Sequence, residues 1–136
     1  MDEKTIGTDV NQVQITSLSK IRGQKKVIDL LRVNLDAYFQ NRSQGKPSTF
    51  GPALLCGPSG TGKTLVAKAI HAELGNGELI ETNGEMLSNT NELISILISA
   101  TENTSIFVDE AQGMSPRSAL VWLVALSERV VYLPQQ

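Results

Sequence analysis

A short glycine-rich run carries the strongest chemical signal in the sequence. It reads Gly57-Pro58-Ser59-Gly60-Thr61-Gly62-Lys63-Thr64 and satisfies the pattern G-x-x-x-x-G-K-[ST]. In such a loop the glycines let successive backbone N–H groups face one polyphosphate, and the N-terminus of the following helix adds positive charge. Lys63 would reach the β- and γ-phosphates, and the Thr64 hydroxyl would ligate the Mg²⁺ that bridges them. The run therefore predicts a site for ATP and Mg²⁺.

Two adjacent carboxylates supply a second candidate part of this site. An apolar segment at 105–108 ends in Asp109 and Glu110. Asp109 would hold Mg²⁺, commonly through water, because a hard dication takes oxygen ligands. Glu110 would accept a hydrogen bond from the attacking water and act as a general base or orienter. Carboxylates at a strand end are often merely solvated, but beside a phosphate loop this pair indicates ATP hydrolysis.

These two motifs require a scaffold that brings them to one edge of a sheet, and the hydrophobic pattern predicts such a scaffold. Short apolar strands at 53–56, 79–82 and 105–108 alternate with a helix at 63–74 and a helix that opens with a capping box at Asn89 and Glu92. This alternation is typical of an α/β fold with a mostly parallel sheet and crossover helices. A further helix is predicted from Ser115 to about Ser127, and a last strand at 130–133.

An amphipathic helix is predicted ahead of this unit, at 24–40. Its apolar residues recur at helical spacing and should face the core. They are Val27, Leu30, Leu31, Leu35 and Phe39. A loop at 41–52, rich in Ser, Gly, Pro and Gln, separates this helix from the first strand. Residues 1–16 are polar and without period, which predicts a flexible N-terminal segment before a single domain at 17–136.

Composition limits the classes of function. With 40% hydrophobic and 19% charged residues, the 136-residue chain should form a packed soluble domain. A net charge of −2 provides no global basic field, so any DNA contact would depend on a local patch or on ring assembly. The single cysteine, Cys56, allows no intramolecular disulfide, which favours the cytoplasm. The longest apolar run, 119–126, is far shorter than the roughly 18 residues of a membrane helix, so no membrane partner is expected.

Several further runs resemble the RuvB family of AAA+ ATPases, the motors of Holliday-junction branch migration. The similar runs are Ile21 to Gln24, Glu73 to Gly75, Thr82 to Gly84, Glu92-Leu93, Ile96-Leu97 and Ile106 to Glu110. The resemblance covers about residues 17–133. It implies a three-layer αβα sandwich of the AAA+ P-loop type, incomplete at its C-terminal side. It also implies ATP hydrolysis in a homo-oligomeric ring that acts on four-way DNA together with a junction-binding partner protein.

The motifs and the resemblance together give a predicted set of site residues. Lys63 and Glu110 are the predicted catalytic residues, and Thr64 and Asp109 are the predicted metal ligands. The resemblance implies that Ile21 and Arg22 pack near the adenine. The full predicted nucleotide-binding set is Ile21, Arg22, Gly57, Pro58, Ser59, Gly60, Thr61, Gly62, Lys63, Thr64 and Leu65.

The sequence also departs from the family pattern. Ala111 and Gln112 stand where RuvB proteins commonly have Ile-His after the second motif. The family's sensor strand, arginine finger and lid would follow Gln136, and its sensor strand inserts between the first and third strands predicted here. These departures predict little ATPase activity for the chain alone. Two other functions stay open: a nucleotide-binding switch without turnover, and an AAA+ remodeller that acts on protein.

Overall fold

The structure is a computed structural model that describes residues 17–75 and 77–133. The flexible segment predicted at 1–16 lies outside the described residues, as do residues 76 and 134–136 of the predicted domain. The described chain forms four α-helices and two strands, in this order: α1 (Lys25–Ser43), α2 (Lys63–Leu74), β1 (Leu79–Asn83), α3 (Thr90–Ser99), β2 (Ser105–Asp109) and α4 (Pro116–Glu128). Short 3-10 turns lie at Leu18–Lys20, Met86–Ser88 and Ala111–Gly113.

The two strands form a parallel pair connected through α3. Their register runs from Leu79 opposite Ser105 to Asn83 opposite Asp109. The β1–α3–β2 unit is the crossover that a parallel pair requires, and it confirms the predicted α/β fold with a parallel sheet. Because the strands are parallel, both carboxyl ends lie at the same edge, where Asp109 and Glu110 follow β2.

Side-chain caps explain where the helices after β1 and β2 begin. The Asn89 side chain accepts a hydrogen bond from Asn91 N at 3.0 Å, and the Ser115 hydroxyl accepts one from Ser118 N at 3.3 Å. The predicted capping box is only half formed, because Asn89 N donates to the Met86 carbonyl at 3.4 Å and not to Glu92. Pro116 occupies the first turn of α4, where its missing N–H costs nothing.

Two predicted strands, at 53–56 and 130–133, are not strands in the structure. The sheet in the described chain contains only β1 and β2, so neither segment has a neighbouring strand to complete its backbone hydrogen bonds. Segment 53–56 keeps the alternation of an extended chain, since Leu55 packs against the core while Leu54 is 81% exposed. Tyr132, in the other segment, is 70% exposed. For 53–56, this outcome is the one that the resemblance implies, since it places another strand between the first and third predicted strands.

The main core lies between α1, α2 and the turn that precedes α1. Its buried side chains are Leu18, Leu31, Leu35, Val66, Ala69 and Ile70. Fewer residues of α1 are buried in the core than predicted, because Val27 and Phe39 are each 40% exposed and Leu30 is 64% exposed. Helix α1 contacts α2 along a narrow seam, so only the residues on that seam are buried.

A carboxylate at the end of α2 ties the N-terminal turn to both helices. Glu73 accepts hydrogen bonds from Ser17 Oγ at 2.9 Å, from Leu18 N at 2.8 Å and from two nitrogens of Arg32 at 2.6 and 2.9 Å. Burial acts to raise the pKa of Glu73, but these donors and the charge of Arg32 outweigh it and hold the pKa below its ordinary value. The helix that the glycine-rich loop opens is therefore fixed to the turn that leads into Ile21.

Candidate nucleotide-binding site

The glycine-rich loop turns sharply into α2. Gly60 (φ +81°) and Gly62 (φ +88°) lie in the left-handed region, which glycine adopts at little cost. Gly62 is the N-cap of α2, and the first α2 amide with a backbone partner is that of Val66, which donates to Gly62 O at 3.0 Å. The amides of residues 63–65 precede it, and helix geometry gives them no partner within the helix. Together with the helix dipole they form a site suited to an anion.

Two side chains of the loop bond back onto its own backbone. The Lys63 ammonium donates to the Gly57 carbonyl, and Thr61 Oγ1 donates to the Pro58 carbonyl at 2.8 Å. The positive charge of Lys63 thus lies over the loop, where a phosphate held by the loop amides would meet it. The loop is preorganised by these bonds and by its glycines.

The carboxylate motif follows β2 in an unusual backbone conformation. Glu110 is in the left-handed region at φ +48° and ψ +50°, and its N–H donates to Asp109 Oδ1 at 2.9 Å. Gln112 Nε2 donates to Glu110 Oε2, so this carboxylate oxygen has a fixed partner. Both carboxylates are exposed to solvent. Gln112 was not among the predicted site residues, although its position two residues after Glu110 is a signal present in the sequence.

The predicted metal ligands Thr64 and Asp109 line one cavity of about 290 Å³. Its other lining residues are Glu81, Thr82, Asn83, Met86 and Phe107. The start of α2 and the carboxyl ends of β1 and β2 therefore meet there, as the predicted fold requires.

The chemistry of this cavity fits a hydrated Mg²⁺. Its polar groups are hydroxyl, amide and carboxylate groups, and their oxygens are the ligand type that this ion prefers. The buried hydroxyl of Thr82 has no hydrogen-bond partner among the described residues, but Thr82 pairs with Val108, and strand alternation places its side chain on the face opposite that of Asn83 and Asp109. The described residues contain no group of three or more His, Cys, Asp or Glu that could hold a metal alone. Phosphate oxygens and water would have to complete the coordination.

A second cavity, of about 700 Å³, lies between α1, the segment 49–56 and the loop. Four predicted binding residues line it, namely Gly57, Pro58, Thr61 and Lys63. The remaining predicted binding residues Ser59, Gly60, Gly62 and Leu65 belong to the same loop and helix start but line neither cavity. Ile21 and Arg22 also line neither cavity: Ile21 packs against the α1–α2 core, and Arg22 is exposed. The structure thus gathers the phosphate and metal residues but not the predicted adenine residues.

A glycine-rich loop that opens a helix, next to a parallel strand that ends in two carboxylates, defines a P-loop NTPase core. The family model of the Holliday junction DNA helicase RuvB P-loop domain matches residues 13–133. The chain belongs to this family, which confirms the resemblance found in the sequence.

Individual relatives agree with this assignment. The Holliday junction branch migration complex subunit RuvB of Chlorobaculum parvum is 33% identical over 105 residues, which cover 77% of this chain and 29% of the relative. The RuvB subunit of Mesomycoplasma hyopneumoniae strain 7448 is 25% identical over 122 residues, covering 90% of this chain and 36% of the relative. A solved structure of a Thermotoga maritima RuvB mutant superposes with a TM-score of 0.76 at 26% identity, covering 88% of this chain and 38% of that one. The chain therefore spans only about a third of its relatives.

No helix among the described residues is long and apolar enough to cross a membrane.

Proposed function

We propose that this chain binds ATP with Mg²⁺ at the loop 57–64 and contributes Asp109 and Glu110 to ATP hydrolysis. The observation that carries the proposal is the shared cavity, in which Thr64 at the start of α2 and Asp109 at the end of β2 face the same space. This is the arrangement in which a P-loop enzyme holds nucleotide and metal together.

Each part of the site has a role that follows from its chemistry. The loop amides and the Lys63 ammonium hold the phosphates, while Thr64 and Asp109 hold the cation. When bound, Mg²⁺ neutralises negative charge on the phosphates. Glu110 accepts a hydrogen bond from the attacking water, and Gln112 restrains the Glu110 carboxylate by donating to Oε2.

We further propose that this core drives branch migration of four-way DNA in the whole protein. Membership in the RuvB family and the names of the relatives support this substrate. The family resemblance adds a homo-oligomeric ring, a junction-binding partner protein and a cytoplasmic location to the proposal. Because the net charge is −2, contact with DNA would require a local basic surface or ring assembly.

Nucleotide binding is tested first, by titration with a fluorescent ATP analogue. We expect Lys63→Ala to lose most of the affinity, because it removes a charge from the phosphates, and Glu110→Gln to retain the affinity. Lys68→Ala is the matched control on α2, since Lys68 pairs with the exposed Glu81 at 3.2 Å and lies outside the loop. Equal loss of affinity in the Lys63 and Glu110 variants would refute the assigned roles.

Turnover is then measured as phosphate release, in this chain and in the longest natural reading frame that contains it. We expect four-way DNA to stimulate release from the longer protein, and Glu110→Gln to abolish release. Glu102→Gln, an exposed carboxylate remote from the motif, should leave release unchanged. Tight binding without any release would support a nucleotide switch instead, and stimulation by protein but not by DNA would support a remodeller.

A further inference from the structure

Asn83 is a polar residue at the candidate site that has no role in the proposed function. It is the last residue of β1, and the strand register places it opposite Asp109, the last residue of β2. Side chains of such paired residues lie on the same face of the sheet. Asn83 and Asp109 also line the same cavity of about 290 Å³, together with Thr64 at the start of α2. The Asn83 side chain therefore borders the space in which cation and phosphates are proposed to bind.

A hydrogen bond within the turn after β1 fixes the orientation of the Asn83 carboxamide. Met86 N donates to Asn83 Oδ1 at 2.8 Å. Because a backbone N–H can only donate, the carboxamide atom that faces it must be the oxygen and not the nitrogen. Among the described residues, the two N–H groups of Asn83 Nδ2 have no hydrogen-bond partner. These two donors are therefore left for a ligand or for solvent.

The chemistry of the free donors selects the kind of group that Asn83 can bind. An amide nitrogen donates hydrogen bonds and accepts none, whereas Mg²⁺ takes oxygen ligands, so Nδ2 is not a metal ligand. A phosphate oxygen is a suitable partner, because hydrogen bonds to an ionised acceptor are stronger than those between neutral groups. In the proposed site, the cation near Thr64 and Asp109 bridges the β- and γ-phosphates. Oxygens of the γ-phosphate are therefore the anionic acceptors expected near Asn83.

We propose that Asn83 Nδ2 donates a hydrogen bond to an oxygen of the terminal phosphate of ATP, and that Asn83 thereby makes the site prefer ATP to ADP. This inference rests on the proposed nucleotide function. ADP lacks the terminal phosphate, so this hydrogen bond forms with ATP alone. The amides of the glycine-rich loop cradle the α- and β-phosphates, which both nucleotides carry, and they contribute less to the preference.

The test compares Asn83→Ser with Asn83→Asp. Serine keeps a side-chain oxygen that can accept from Met86 N, as serine does in such turns, but its side chain ends before the position of the amide nitrogen. Aspartate also keeps an acceptor for Met86 N and replaces the donors by a negative charge. Asn91→Ser and Asn91→Asp are the matched controls, because Asn91 is exposed in the first turn of α3 and lines neither cavity.

Two quantities are measured for each variant. One is the melting temperature without nucleotide. The other is the ATP preference, defined as the Kd of ADP divided by the Kd of a non-hydrolysable ATP analogue. Both Kd values are obtained by displacement of the fluorescent ATP analogue in the presence of Mg²⁺.

We expect Asn83→Ser to lower the ATP preference about tenfold, because a hydrogen bond to a charged group is lost, while the Kd of ADP stays within about twofold of the wild type. Asn83→Asp should lower the preference further, because its carboxylate repels the terminal phosphate. Both variants should melt near the wild-type temperature, since each keeps an acceptor for Met86 N. The Asn91 variants should retain the wild-type preference.

A wild-type ATP preference in Asn83→Ser, or an equal rise of both Kd values in that variant, would overturn the proposal. The second result, with a clearly lower melting temperature, would mean that the side chain serves the turn and not the phosphate. If Asn83→Ser does not fold, Asn83→Asp decides the question, because an unchanged preference there would also overturn the proposal. A wild-type chain that binds both nucleotides equally would refute this inference alone. A wild-type chain that binds neither would refute the proposed function as well.

Discussion

Gly84 is the position where one added methyl group should disturb the site most. It is buried directly after β1, and its N–H donates to the Asp109 carbonyl at 3.0 Å. A Cβ at this position would lie 2.4 Å from Glu110 O, 2.8 Å from Met114 N and 3.0 Å from Gly113 N. All three are backbone atoms that cannot rotate away, so Gly84→Ala requires the turn after β2 to move. Glycine is needed here for close approach of two chain segments.

The size of the effect follows from this crowding. Inserting a carbon into a packed region with backbone shifts costs about 1–3 kcal/mol. For a domain of this size that corresponds to a melting temperature lower by roughly 3–15 °C. The required movement displaces Glu110, and a misplacement near 1 Å can cost about 100-fold in turnover. Affinity for the ATP analogue should fall much less, because the phosphate loop lies on another segment.

Gly113→Ala is the matched control, because Gly113 lies across the same turn. Its Cβ would meet no atom closer than Glu85 N at 3.4 Å, an ordinary contact, and the residue is exposed. Thermal melting, analogue titration and phosphate release from the longest natural reading frame are compared for both variants. If Gly84→Ala melts like the wild type, or if Gly113→Ala loses as much stability and turnover, the close contact does not position Glu110.

Three other outcomes follow from the structure. Leu35→Ala should lower the free energy of unfolding, measured by chemical denaturation, by about 2–5 kcal/mol because Leu35 is fully buried. Leu30→Ala, on the exposed side of α1, should change it by less than about 0.5 kcal/mol. Equal effects of the two substitutions would contradict the described core. The pKa of Glu73 is lower in the folded chain than its ordinary 4.5, so the stabilisation by Glu73 is present above that pH and is lost as the pH falls below it. Glu73→Gln should therefore be less stable than the wild type at neutral pH and lose less stability on acidification. Parallel curves of unfolding free energy against pH for the two proteins would refute this. Thr64→Ala should lower the ratio of the Kd of the fluorescent ATP analogue in EDTA to its Kd in Mg²⁺, and an unchanged ratio would exclude Thr64 as a metal ligand.

Elements with strong local signals were predictable from the sequence. The helix predicted at 63–74 is observed as Lys63–Leu74, and the two strands of the sheet each extend one residue beyond their predicted end. Helical periodicity, a capping side chain and a glycine at the helix end are all encoded within a few residues. The meeting of Thr64, at the end of the glycine-rich loop, with Asp109 was also predictable, because parallel strands present their carboxyl ends at one edge.

Features that depend on distant partners were not predictable in this way. Segment 53–56 has the composition of a strand, but a strand exists only where a neighbour completes its hydrogen bonds. The exposure of Leu30 depends on how narrow the contact between α1 and α2 is, and the periodicity of α1 does not contain that information. Gly84 lies in one of the runs that resemble the family, yet its individual role follows only from the atoms around it.

Hydrogen bonds centred on Ser88 join the loop after β1 to the turn after β2. The single hydroxyl proton of Ser88 is shared between Gly84 O at 3.2 Å and Gly113 O at 3.0 Å, and Ser88 Oγ accepts a hydrogen bond from Ser115 N at 3.0 Å. These bonds connect the loop after β1 to the turn that holds Glu110 and to the N-cap of α4. A movement of the Glu110 turn must therefore carry the start of α4 with it or break these bonds. Since Glu110 already occupies a left-handed conformation that costs a non-glycine residue free energy, this network explains how the fold keeps it there.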